Sequence, residues 1–74
     1  MSWSLVGTHL QKPAPGGRVL DVDLNRYRPE AWYRAPGREA LFVGSFDCAA
    51  EAMEELEAIE RNVTRLNKTY GEQA

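Results

Sequence analysis

The chain has 74 residues, one cysteine, one histidine and a formal net charge of −2. That length allows a single domain that buries only about 60% of its unfolded surface, and its lone cysteine and lone histidine exclude both a disulfide framework and a Cys/His structural metal site. The core must therefore come from packing alone, or be extended by a second copy or a partner.

In chain order, residues 3–10 read as a first strand, with apolar Trp3, Leu5, Val6 and Leu10 but no clean alternation. Residues 11–17, Gln-Lys-Pro-Ala-Pro-Gly-Gly, read as a loop, because each proline removes a ladder donor. Residues 18–26 alternate with period two: Leu20, Val22 and Leu24 face one way, and Asp21, Asp23 and Asn25 face the other. One side of the sheet is thus core and the other wet. Pro29 interrupts the pattern, so Ala31-Trp32-Tyr33-Arg34 fits either a short strand or a bent continuation of the hairpin. Pro36-Gly37 is a turn pair, and residues 40–46 form the next strand.

A helix then starts at Asp47 or Cys48. Asp47 is a suitable N-cap; if Cys48 takes that place, Glu51 falls at the third helical position. Gly71 is a natural terminator, giving a helix of about 22 residues. The expectation is an α+β fold: a three- or four-stranded antiparallel sheet packed by one long C-terminal helix, a single domain over residues 1–71 with 72–74 as a disordered tail. The expected core is Leu5, Leu20, Val22, Leu24, Leu41, Val43, Phe46, Ala49, Ala52, Met53, Leu56, Ile59 and Val63. Ala49, Ala52, Leu56, Ile59, Val63, Leu66 and Tyr70 also fit heptad spacing. The first part of that ladder suits sheet packing, and Val63, Leu66 and Tyr70 suit a homodimer contact.

Charge is segregated along the chain. Arg26, Arg28, Arg34 and Arg38 stand against Glu30 alone, whereas residues 47–60 carry Asp47, Glu51, Glu54, Glu55, Glu57 and Glu60 and no base. Glu51, Glu54, Glu55 and Glu57 read as the outer face of the helix. That face is either simply solvated or a docking surface for a basic groove, such as a nucleic-acid channel. Arg26, Arg28, Trp32, Tyr33 and Arg34 combine residue types enriched in interface hot spots. The bland alternative is that the aromatics close a thin core, with arginines lying over them.

The strand–turn–helix junction Phe42-Val43-Gly44-Ser45-Phe46-Asp47-Cys48-Ala49-Ala50-Glu51-Ala52, with Gly17-Arg18 opening an alternating strand, resembles the DNA-binding domain of plant ethylene-response factors and the arm-binding domain of tyrosine-type phage integrases. The resemblance implies a sheet face that enters the DNA major groove, with Arg18, Phe42 and Ser45 at matching positions. Asp21, Asp23 and Asn25 depart from it, since carboxylates on that face repel phosphate.

No catalytic constellation is present in the sequence. Cys48 has no neighbouring histidine, His9 is alone, and Asp21 with Asp23 lacks a third cation ligand. No segment reaches the ~20 apolar residues of a membrane span. The first residues lack a signal-peptide pattern, and a free thiol points to a cytoplasmic setting. The expected function is a small non-enzymatic binding protein without cofactor, a phage- or mobile-element-type regulator or inhibitor docking on a basic or nucleic-acid-processing protein machine. The alternatives are a DNA-binding module using Arg18, Arg26, Arg28, Arg34 and Phe42, and a homodimeric structural subunit.

Overall fold

The structure, a computed structural model, describes the backbone of residues 2–73 and the side chains of residues 2–63. Five strands pair in chain order as one antiparallel meander: β1 (Ser4–Val6), β2 (His9–Ala14), β3 (Arg18–Asp23), β4 (Glu30–Arg34) and β5 (Leu41–Ser45). One helix, α1 (Ala49–Gln73), follows and packs on β3, β4 and β5. The architecture is α+β, with one more strand than the upper expectation.

The extra strand comes from residues 3–10, which form two strands rather than one. Gly7 adopts φ 62°, a left-handed conformation that glycine enters without Cβ strain, and folds β1 back on β2 with Val6 opposite His9. β2 then continues through residues expected to be loop. Pro13 is tolerated because β1 reaches only to Gln11. Beyond that point β2 has no partner on its outer side, and a missing donor there breaks no ladder bond. A short 3-10 turn, Pro15–Gly17, leads into β3. The residues 30–34 left open by the sequence are a strand, and Pro36-Gly37 forms the turn after it, with Gly37 at φ 71° and the Arg38 amide donating to Ala35 O.

Cys48, not Asp47, precedes the first helical residue, and its carbonyl accepts from the Ala52 amide. Glu51 therefore stands at the third helical position, where a carboxylate suits the helix dipole. α1 runs through Gly71 to Gln73. A glycine inside a helix costs only about 1 kcal/mol, so Gly71 alone does not end it. Glu72 and Gln73, expected in a disordered tail, lie in the helix; Ala74 lies outside the described residues.

Leu20, Val22, Ala31, Ala52 and Leu56 form the buried core, with Trp3, Leu10, Tyr33, Val43, Phe46 and Met53 packed around it. Each fully buried leucine contributes about 1.5–3 kcal/mol by leaving water. Three expected core residues are exposed: Leu5 (66%), Leu41 (64%) and Leu24 (37%). Leu5 and Leu41 sit on the outermost strands, and α1 packs chiefly on β3 and β4, so a single helix leaves them uncovered. Leu24 follows the end of β3.

Residues opposite each other in a ladder share a face. The register puts Leu10, Lys12, Ala14, Leu20, Val22, Ala31 and Tyr33 on the helix side, and His9, Gln11, Asp21, Trp32 and Arg34 on the open side. Among the described residues, no helix is long and apolar enough to cross a membrane.

Candidate functional site

On the helix side, Glu57, expected to face solvent, instead binds the sheet, and Glu60 binds it too. Glu57 accepts from Trp3 Nε1 at 2.8 Å and from Lys12 Nζ at 2.9 Å. These donors hold its carboxyl below the ordinary glutamate range, the Lys12 hydrogen bond foremost. Glu60 accepts from Arg18 Nη2 at 2.9 Å and from the Tyr33 hydroxyl at 2.8 Å, while Arg18 Nη1 donates to that hydroxyl at 3.0 Å. Burial, then the Glu60 carboxylate, raises the Tyr33 hydroxyl above its ordinary value. The Arg18–Glu60 pair is 13% and 14% exposed, so it clamps helix to strand. Arg18 therefore lies on the helix side, away from the face that the resemblance assigns to DNA.

The open side is not simply wet. Asp21 is 0% exposed although no helix covers it. Its Oδ1 lies 3.0 Å from His9 Nδ1 and 3.5 Å from Gln11 Nε2, and its Oδ2 accepts from Arg34 Nε at 3.0 Å. The side chains of β2 and β4 roof the carboxylate over and satisfy it, as a buried charge requires. Beside it, Trp32 and Phe42 meet edge to face with ring centroids 5.2 Å apart. The His9–Asp21 contact fixes the imidazole through Nδ1, the arrangement by which a carboxylate orients a histidine base. No nucleophile joins the pair in the described contacts.

The Arg/aromatic group expected on one surface is divided. Trp32 and Arg34 stand on the open side, and Tyr33, one residue between them, turns to the helix. Arg26 reaches Asp23 and Glu30 at 3.4 and 3.7 Å, and Arg28 pairs with Asp47. Every arginine of the expected DNA set is thus engaged with a carboxylate.

The remaining helix acids are different. Helical residues advance by about 100° each, so with Ala52 and Leu56 against the sheet and Glu57 reaching toward β1 and β2, Glu51 and Glu55 fall on the opposite flank, toward β5. Glu54 points away from the sheet. All three are exposed and have no hydrogen bond or ion pair among the described residues. Of the expected homodimer contacts, Val63 is half-buried; the side chains of Leu66 and Tyr70 lie outside the described residues. Cys48 is exposed. No group of three His, Cys, Asp or Glu side chains among the described residues is placed to hold a metal ion.

Sequence reasoning missed His9 and Gln11 as partners of Asp21. The signal lay in pairing: once residues 9–14 are read as a strand, Gln11 falls opposite Asp21. No protein-family model, curated protein or solved structure matches the chain.

Proposed function

We propose that the chain is a small non-enzymatic regulator that binds a basic protein surface through the exposed carboxylates of α1. One observation carries this reading: Arg18, Arg26, Arg28 and Arg34 are each paired within the fold, whereas Glu51, Glu54 and Glu55 are left unpaired on its surface. Over residues 51–55 of α1 the unpaired charge is therefore negative, and it attracts basic partners and speeds their association; Arg38 and Arg61 are exposed cations elsewhere that have no ion pair among the described residues. The same pairing weakens the DNA alternative, because non-specific DNA affinity needs cations free to neutralise phosphate. A phage- or mobile-element-type role against a nucleic-acid-processing machine fits such a surface, since successive carboxylates on a helix present charge much as a phosphate run does.

The test is capture of partners by the wild type and by a Glu51→Lys/Glu54→Lys/Glu55→Lys variant, with mobility of duplex DNA at low salt measured in parallel. The reading requires a basic partner retained by the wild type and lost from the variant, and no DNA retardation. Equal capture by both proteins, or salt-sensitive retardation of DNA, contradicts it.

A further inference from the structure

The two edges of the sheet are unequal. β1 has three residues, and β2 beyond it carries Pro13; short strands and prolines are devices that prevent edge pairing. β5 is the other edge, and its five residues, Leu-Phe-Val-Gly-Ser, include no proline and no charge. Among the described residues its outward N–H and C=O groups have no strand partner. Leu41 is 64% exposed and Phe42 50%. A surface cavity of about 520 Å³ opens at the start of the strand, lined by Tyr33, Ala35, Arg38, Glu39 and Leu41. Above this edge, on the helix side, lies the flank that carries Glu51 and Glu55.

We infer that β5 accepts an extended segment of the basic partner as a sixth strand of the sheet. The inference rests on the proposed function and specifies where and how that partner binds. Strand addition draws affinity from backbone hydrogen bonds and specificity from alternate side chains. Successive residues of the incoming strand point to opposite faces. One set faces the helix side, where Glu51 and Glu55 select Lys or Arg and the Leu41 cavity takes an apolar side chain. The other set faces the open side, where Phe42 and Trp32 select apolar residues. The occupant is therefore an extended segment that alternates basic and apolar residues.

A second copy of this chain fits less well. Antiparallel pairing of β5 with itself would place both helices on the same side of the joined sheet, each turning Glu51 and Glu55 toward the other, and like charges so placed repel.

The probe is a seven-residue peptide alternating Lys and Val, with a Glu/Val counterpart and a Lys/Val version N-methylated along one edge. Binding is followed by titration and by amide hydrogen exchange. The Lys/Val peptide should bind and slow exchange within β5. Affinity should fall by about tenfold or more in Glu51→Gln/Glu55→Gln, and the other two peptides should not bind. Binding that depends on Glu51 and Glu55 without slowed exchange in β5 overturns strand addition and leaves the acidic-surface reading intact. Binding indifferent to the Gln variant, or no binding by the Lys/Val peptide, overturns the inference. So does concentration-dependent protection of β5 in the free protein, which assigns the edge to a second copy.

Discussion

Arg34 holds Oδ2 of Asp21 with both Nε and Nη2, each at 3.0 Å, across the β3–β4 pairing. The contact lies on the face of the sheet that no helix covers, yet Asp21 is fully buried there, roofed by Arg34 together with His9 and Gln11. Removing the carboxylate leaves His9, Gln11 and Arg34 without their acceptor. Asp21→Ala should therefore lower stability by about 2 kcal/mol, the scale of a charge-assisted hydrogen bond lost, discounted because Arg34 is itself about half exposed. Urea unfolding measures it; a loss under about 0.5 kcal/mol would show that the roofed carboxylate is incidental.

Two arginine–carboxylate pairs should differ in coupling energy. Arg18–Glu60 is largely buried and shares Tyr33, whereas Arg28–Asp47 is 51% and 79% exposed. Double-mutant cycles should give about 1–2 kcal/mol for the first and about 0–0.5 kcal/mol for the second. Equal values would mean that α1 is not clamped through Glu60.

Acid should loosen the helix through Glu57. Its folded pKa lies below the ordinary glutamate value, chiefly through the hydrogen bond from Lys12, so the folded state binds its proton less readily than the unfolded state. This stabilisation is fully present above the unfolded glutamate value of about 4.3 and is lost as pH falls through the lower, folded value. The urea midpoint of the wild type should therefore drop more steeply than that of Glu57→Gln below about pH 4.5. Parallel profiles would refute the assignment.

Leucine truncations should separate true core from exposed edge. Leu56→Ala should lose about 2–5 kcal/mol, because Leu56 is fully buried against the sheet. Leu41→Ala should lose under about 0.5 kcal/mol, since its side chain is mostly in water. Thermal melts of the two variants compare them directly.

The sequence carried the helix and the strongest strand plainly. Leu20 and Val22 alternate with Asp21 and Asp23, and Ala52 and Leu56 keep helical spacing, so both inner faces were readable. What it concealed depends on pairing across distance. Trp3, Leu5, Val6 and Leu10 gave no alternation because they span a turn at Gly7, and Pro13 disguised the end of β2. With β2 unread, nothing indicated that His9 and Gln11 would meet Asp21, so a buried carboxylate looked like a wet one. The direction of Glu57 was equally hidden. It lies at the margin between the inner and outer helix faces, and only the placement of Lys12 and Trp3 turns it toward the sheet. Charge that is segregated along the chain is consequently intermingled in space: Lys12 and Arg18 from the strands neutralise Glu57 and Glu60 from the helix.

On the proposed reading the glutamates of α1 serve two purposes, and the sharpest check is to measure partner affinity and melting temperature on the same two variants. Glu51→Gln/Glu54→Gln/Glu55→Gln should bind the captured basic partner about tenfold or more weakly while melting like the wild type. Glu57→Gln should melt lower while binding almost as tightly. The account is contradicted if the triple variant keeps full affinity, or if its affinity falls only in step with its melting temperature.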